Sequence, residues 1–319
     1  MNNKILYICF ALLAVSIPSV AERHRKDVQE IPFHLYRNHL IVATGKLGPL
    51  ADRNLLIDTG ANPTIIDESL AYELGLKPTG GRPGAITTVA GVAQIYYATL
   101  ATFDLGPIHR DSIAVAVANF SLINAQTGLR IDAIVGLDAI EPTNFQIDYL
   151  SRKIQFGTIH MPSRTIHMVP NKTFVVVAAQ LNSTELNLMI DTGSSQFVLF
   201  RDQLPAAMAK LPLRNTIPLS NVAGDLIATQ VQLNRVRIGN TDLSASTALL
   251  ANVPNCCEFQ GMLGISALQF RRVSFDFQQR VLGLEFLYGT QAPALLAGPC
   301  RSVAAANCEP TPSGFLHPR

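Results

Sequence analysis

The sequence predicts a mainly β protein built from two tandem copies of one unit, related by a pseudo-twofold axis. The first observation is a repeat. Leu56-Ile57-Asp58-Thr59-Gly60 recurs as Met189-Ile190-Asp191-Thr192-Gly193, 133 residues further on. Val89-Ala90-Gly91 recurs as Val222-Ala223-Gly224, and Leu105-Gly106 as Ile238-Gly239, at that same offset. The second observation is a register shift of five residues, after which the repeat holds at an offset of 128. Ile134-Val135-Gly136-Leu137 matches Met262-Leu263-Gly264-Ile265, Ile147-Asp148-Tyr149 matches Phe275-Asp276-Phe277, and Arg152 matches Arg280. Anchors in two consistent registers mark a duplication, with five residues lost from the second copy between Gly239 and Gly264. The third observation is local: short β-branched runs separated by turn residues at intervals of about ten residues.

Each element has its own reason. Ile113 to Val117, Phe174 to Ala179 and Val231 to Ile238 are short and rich in β-branched residues, so they are expected as strands. Asn182-Ser183 and Gly239-Asn240 supply turns. Asp67 to Leu76 is the best helix, with a carboxylate at its start and Gly75 at its end. The two units are expected over residues 31–158 and 167–288, with 157–168 (Pro162 inside) as the connector. From 289 to 319 Ala, Pro and Gly dominate with no period, which reads as a tail.

The N-terminus carries an export signal. Lys4 provides the positive end, Ile5 to Ser16 is an apolar run, and Ser19-Val20-Ala21 is a small-x-small cleavage pattern, so residues 1–21 are expected to be removed. The run is short of the roughly 20 apolar residues a membrane span needs, so no stable membrane insertion is expected after cleavage. The localisation expected is therefore exported, periplasmic or secreted. Cys9 leaves with the signal. Cys256, Cys257, Cys300 and Cys308 then form an even set, which in an exported chain predicts disulfides. Neighbouring cysteines seldom bond each other, and pairing Cys256 and Cys257 with Cys300 and Cys308 would staple the tail to the second unit. Their connectivity stays open.

Composition excludes several classes. Apolar residues make up 48% of the 319-residue chain and charged residues 15%, enough to fold most of it around real cores. A formal charge of +2, with no basic stripe, argues against nucleic acid as a partner. No His-Glu-x-x-His pair, Gly-x-Ser-x-Gly elbow or phosphate loop occurs, and neither metal nor cofactor is expected. His34 and His39 read as surface or strand residues.

The chemistry lies in the repeated Asp-Thr-Gly. An isolated copy is an ordinary turn after a strand. Here both copies follow three apolar residues, Leu55-Leu56-Ile57 and Leu188-Met189-Ile190. A carboxylate ending a buried strand is costly unless it has partners or a task. Two of them at equivalent points of a duplicated fold can meet on the axis. Carboxyls that close share one proton, and such a pair can activate water while polarising a carbonyl. It titrates as a unit, so neither Asp58 nor Asp191 is assigned a fixed role.

With these residues in view, the chain resembles a tandem member of the retropepsin-like aspartic peptidase superfamily over about residues 31–288. Leu56-Ile57-Asp58-Thr59-Gly60-Ala61 is similar to the retropepsin form of the motif, and Ile190-Asp191-Thr192-Gly193-Ser194-Ser195 to the pepsin form. The family's second signature, two apolar residues and a Gly on a strand behind the active-site loop, is matched by Ile134-Val135-Gly136 and Met262-Leu263-Gly264. The resemblance implies two tandem acid-protease β-barrel domains, hydrolysis of a polypeptide substrate, and Asp58 and Asp191 as catalytic residues. It implies that Thr59 and Thr192 interlock across the dyad, and that Gly60 and Gly193 bring N–H groups to the carboxylates. Val89, Ala90, Gly91 and Val222, Ala223, Gly224 fall where flap hairpins over substrate are expected. Ser194 offers a hydroxyl where Ala61 has none, from which unequal stabilisation of the two carboxylates, and a dyad working nearer neutral pH, are expected. Asp138, after Gly136-Leu137, reads as a structural hydrogen-bonding residue. A monomer with an intramolecular dyad is the expected form. A homodimer that assembles the dyads between chains and a non-catalytic peptide-binding module are the alternatives.

Overall fold

A computed structural model describes residues 29–88, 91–141, 143–208, 211–221, 224–244, 247–253, 258–265 and 270–286. The expected export signal, Cys256, Cys257, Cys300 and Cys308, the expected tail, Val89-Ala90 and Val222-Ala223 lie outside the described residues.

The first half contains strands β1 (Gln29–Tyr36), β2 (Leu40–Leu47), β3 (Leu50–Ile57), β4 (Ile65–Asp67), β5 (Thr79–Thr88), β6 (Gly91–Leu105), β7 (Ile108–Ala118), β8 (Ala133–Val135), β9 (Phe145–Asp148) and β10 (Lys153–Phe156). Helices α1 (Glu68–Glu73), α2 (Ser121–Thr127) and α3 (Leu137–Ile140) lie between them. The second half has β11 (Thr165–Val169), β12 (Val176–Leu181), β13 (Thr184–Asp191), β14 (Phe197–Phe200), β15 (Leu213–Asn221), β16 (Gly224–Gln232), β17 (Arg235–Ile238), β18 (Thr241–Ser244), β19 (Thr247–Ala251), β20 (Gly261–Gly264), β21 (Phe270–Asp276) and β22 (Val281–Phe286).

The halves repeat strand for strand. In the first, pairing runs β1-β2-β3-β8-β4-β7-β6-β5, and a β2–β6 contact closes the barrel. In the second it runs β11-β12-β13-β20-β14-β19-β16-β15, closed by β12–β17. The protein is thus a mainly β fold of two tandem barrels. Thr88 pairs with Gly91 and Asn221 with Gly224, the same hairpin register 133 residues apart. Both hairpins expected as flaps exist, and their tip residues fall outside the described set.

The halves meet in one antiparallel sheet, β1-β10-β9-β21-β22-β11. At its centre Gln146 pairs with Ser274, and these two are themselves repeat mates, 128 residues apart. The pseudo-twofold axis therefore passes between them. Phe145 and Phe275 stack beside the axis at 4.5 Å and 20° between ring planes, and one apolar core runs through both halves. The sheet also explains why Asp148 and Asp276 recur. Asp148 accepts from Ser151 N–H at 2.9 Å and Asp276 from Gln279 N–H at 2.9 Å, closing equivalent turns. Arg152 and Arg280, in those turns, share the left-handed φ of 54°.

Four expectations change. The helix expected over 67–76 is only Glu68–Glu73. Gly75 (φ 64°) turns the chain left-handed, and the N–H groups of Gly75 and Leu76 return to the carbonyls of Tyr72 and Ala71. Asp67 makes no side-chain cap. It accepts instead from Phe120 N–H, at 2.9 Å, and from the Ser69 hydroxyl. The strand expected over Val231 to Ile238 is broken at Leu233-Asn234, because the Asn182 side chain takes the N–H groups of Asn234 and Arg235 at 3.1 and 3.2 Å. The strand expected from Phe174 starts at Val176, since Asn171 Oδ1 takes the Phe174 N–H at 2.8 Å. The connector expected over 157–168 is partly strand: Thr165 to Val169 forms β11 along β22. The five-residue loss is localised as well. Residues 119–132, which carry α2, are answered by only 252–260 in the second half.

Candidate active site

In each half, Asp-Thr-Gly follows a strand whose last residues are buried: Leu55, Leu56 and Ile57 on β3, Leu188, Met189 and Ile190 on β13. That apolar run anchors the strand, so the carboxylate after it is held in a fixed place. Each strand runs parallel to the strand bearing the second signature, β3 to β8 and β13 to β20. β8 lies between β3 and β4, and β20 between β13 and β14, so the loops Asp58–Thr64 and Asp191–Gln196 cross over them. Glycine ends both supporting strands for a steric reason. A Cβ on Gly136 would lie 2.5 Å from the Ala61 carbonyl oxygen, and one on Gly264 2.5 Å from that of Ser194. Asp138 ties down the first loop, accepting from Thr64 N–H and hydroxyl at 2.9 and 2.8 Å.

The two loops interlock. Thr59 N–H donates to Thr192 Oγ1 at 3.0 Å, and Thr192 N–H to Thr59 Oγ1 at 3.1 Å. The hydroxyls then donate across the axis, Thr59 to the Ile190 carbonyl at 2.8 Å and Thr192 to that of Ile57 at 3.0 Å. Both threonines are fully buried, so all four bonds are shielded from water.

Asp58 and Asp191 face one another above this grip and hydrogen-bond through their carboxyls. Gly60 N–H donates to Asp58 Oδ1 at 2.8 Å, and Gly193 N–H to Asp191 Oδ1 at 2.7 Å. Each glycine also lies under the opposite carboxyl. A Cβ at Gly60 would be 2.8 Å from Asp191 Cγ, and one at Gly193 2.6 Å from Asp58 Cγ. Burial raises both carboxyls above the ordinary carboxylate range. Asp191, the more buried, is raised well above it, by burial first and then by the charge of Asp58. For Asp58 the N–H groups of Gly60 and Gly193 and the bond from Asp191 oppose that rise. Two carboxyls this close cannot both ionise cheaply, so the pair shares one proton and titrates as a unit.

Such a tandem pair of Asp-Thr-Gly loops, gripped by their threonines over parallel strands, is a family signature. The family model described as "Aspartyl protease" matches residues 44–139 and again 177–267. The chain belongs to the aspartyl protease family. No curated protein matches the chain. The two family matches, one in each half, confirm the tandem architecture of this aspartyl protease fold.

The structure brings Asp58, Thr59, Gly60, Asp191, Thr192 and Gly193 together around one point. The Ser194 hydroxyl accepts from Gln196 N–H at 3.1 Å, and its main-chain N–H also donates to Asp191. The corresponding N–H of Ala61 turns to the Asp58 main-chain carbonyl at 3.2 Å. Gly91 opens β6 with φ 128° and Gly224 opens β16; Val89, Ala90, Val222 and Ala223 lie outside the described residues. Among the described residues no cluster of three His, Cys, Asp or Glu side chains is placed to hold a metal ion. Among them, too, no helix is long and apolar enough to cross a membrane.

Two participants escaped the sequence. Asn62 Nδ2 donates to the Thr173 carbonyl at 3.2 Å, linking the first active-site loop to the second half; a loop asparagine gives no signal of this. Tyr149 has a buried hydroxyl with no hydrogen-bond partner among the described residues, and its repeat mate is Phe277, which has no hydroxyl.

Proposed function

We propose that this member of the aspartyl protease family is an exported endopeptidase that hydrolyses polypeptide substrates with a single intramolecular dyad, Asp58 and Asp191. The observation carrying this reading is the pair of hydrogen-bonded carboxyls held by the reciprocal Thr59–Thr192 grip within one chain. In the proposed reaction, ionised Asp58 takes a proton from a water whose oxygen bonds to the scissile carbonyl carbon. Asp191 gives its proton to the carbonyl oxygen, leaving a neutral gem-diol. Asp58 then returns its proton to the amide nitrogen as the C–N bond breaks, and Asp191 regains one from a diol hydroxyl. The proton count closes, and neither a covalent intermediate nor a metal takes part. Export rests on residues 1–21 alone, as read from sequence.

The test is purified mature protein against a mixed peptide library between pH 3 and 8, beside Asp58→Asn and Asp191→Asn. Endoproteolysis by the wild type and its loss in both variants is the expected result. No cleavage by the wild type, or normal cleavage by either variant, overturns the proposal and leaves peptide binding without hydrolysis as the function of the fold.

A further inference from the structure

We propose that Asn62 is a positioning residue of the dyad: its side-chain amide, donated to the Thr173 carbonyl of the second half, fixes the first active-site loop where Asp58 meets Asp191. This rests on the dyad reading above and adds to it a residue outside both Asp-Thr-Gly triplets.

The bond closes a circuit. Asn62 Nδ2 donates to the Thr173 carbonyl at 3.2 Å. Two residues further on, the Val175 carbonyl accepts from Ile190 N–H at 2.8 Å, and Ile190 immediately precedes Asp191. The Ile190 carbonyl accepts from the Thr59 hydroxyl at 2.8 Å, and the chain from Thr59 to Asn62 completes the ring. Hydrogen bonds thus run from the Asp58 loop to the stem of the Asp191 loop and back. The threonine grip holds the inner edge of this ring, and Asn62 holds the outer edge. Within its own half the first loop is fixed at its far end, where Thr64 is bound to Asp138. Asn62 is where the loop is fixed to the second half.

Both ends of the tie are stiff. Asn171 Oδ1 accepts from Thr173 N–H at 2.9 Å and from Phe174 N–H at 2.8 Å, a closed turn that sets the direction of the Thr173 carbonyl. Phe174 packs edge-on against buried Phe259 at 5.8 Å, and Val175 is buried. On the other side, Asn62 reaches Asp58 through one neighbour, because Ala61 N–H is bound to the Asp58 main-chain carbonyl at 3.2 Å. A shift at Asn62 is therefore felt at Asp58.

The tie is one-sided. The repeat mate of Asn62 is Ser195, whose hydroxyl accepts from Gln196 Nε2 at 3.3 Å, within its own loop. The connections differ as well: residues 170–175 join β11 to β12, whereas the tight turn 37–39 joins β1 to β2. The longer connection supplies the carbonyl that receives Asn62.

Asn62→Ala tests this in the purified mature protein. Its kcat on a cleaved peptide should fall about tenfold, a fraction of the hundredfold that a 1 Å displacement of a reacting group costs, with KM within about twofold. Melting should drop by no more than about 2 °C, since the bond is exposed. Asn62→Gln keeps an amide donor and should recover part of the rate. Asn171→Ala frees the acceptor and should lower kcat too, and the double variant should be no slower than the slower single one. A looser loop also weakens the coupling between the carboxyls. The two dyad transitions of 13C-carboxyl-labelled aspartates should therefore converge by about half a pH unit. Unchanged kcat or unmoved transitions in Asn62→Ala overturn the proposal, as do losses that multiply in the double variant. If the wild type cleaves no peptide, the endopeptidase reading fails, and the carboxyl transitions of Asn62→Ala still decide the role of Asn62.

Discussion

Replacing Gly193 by alanine puts the site's steric logic to a direct test. The added Cβ would lie 2.6 Å from Asp58 Cγ, 2.7 Å from its Oδ2 and 2.9 Å from its Oδ1. Ordinary contact starts at 3.4 Å, so the carboxyl or the loop must move by about 0.8 Å. Nothing soft yields there, because the Asp58 carboxyl is held by Gly60 N–H and by Asp191. Overpacking of this kind costs about 1–3 kcal/mol, of which about 0.4–1 is returned by the lower backbone entropy of alanine in the unfolded chain. A displacement near 1 Å in a reacting group costs on the order of a hundredfold in rate. Gly193→Ala should therefore lose about two decades in kcat/KM on a cleaved peptide while losing only a few degrees in melting temperature. Gly60→Ala, whose Cβ would meet Asp191 Cγ at 2.8 Å, should be the milder of the two. A Gly193→Ala enzyme within about threefold of wild type would show that close approach of carboxyl and backbone is not what glycine provides here.

Three more outcomes follow from the geometry. Thr59→Val deletes a hydroxyl that donates to Ile190 and accepts from Thr192, leaving both groups buried and unpaired. It should cost about 2–4 kcal/mol in urea unfolding, and adding Thr192→Val should cost less than the sum, as the two share one network. Asp191→Asn concerns a carboxyl raised in the fold, whose contribution is complete below the unfolded value, about 3.9, and lost as pH rises through the folded one. The melting difference between variant and wild type should therefore move in the variant's favour from pH 4 to 7, and a constant difference refutes burial as the cause. Arg272→Ala breaks the part-buried pair across the halves and should cost about 1–3 kcal/mol at pH 7. Burial pushes the Asp148 carboxyl up, but Ser151 N–H and Arg272 outweigh it and hold it low. That stability is present above about pH 3.9 and fades below, so the Arg272→Ala deficit should shrink in acid.

What the sequence disclosed was whatever duplication had written twice. The Asp-Thr-Gly loops, their supporting strands, the Asp148 and Asp276 turns and the 133-residue register needed only a search for self-similarity. What it hid was decided by single side chains acting on distant backbone. Asn182 ends a strand by capturing two N–H groups 52 and 53 residues away, against a run of residues with every local preference to continue. Asn171 delays β12 in the same way. At the site, the main-chain N–H of Ser194 reaches Asp191 while that of Ala61 turns to the Asp58 carbonyl, a difference that residue letters do not announce.

The axis shows what a single chain gains over a pair of identical ones. At Gln146 and Ser274 the repeat mates face each other directly, and an exact twofold would place the same residue against itself. Unequal mates resolve this: Gln146 Nε2 donates to Ser274 Oγ at 2.6 Å and to the His160 carbonyl at 2.8 Å. The next polar pair outward differs too, with Arg272 on Asp148 and its mate Asn144 on Asp276 at 3.1 Å. A symmetric dimer presents identical surroundings to both carboxyls, so its proton has no preferred side until substrate binds. Duplication lifts that constraint one mate pair at a time. In this chain the mates beside the two carboxyls differ, Ser194 beside Asp191 and Ala61 beside Asp58. The two carboxyls therefore sit in unequal surroundings, which two identical chains about an exact twofold do not provide.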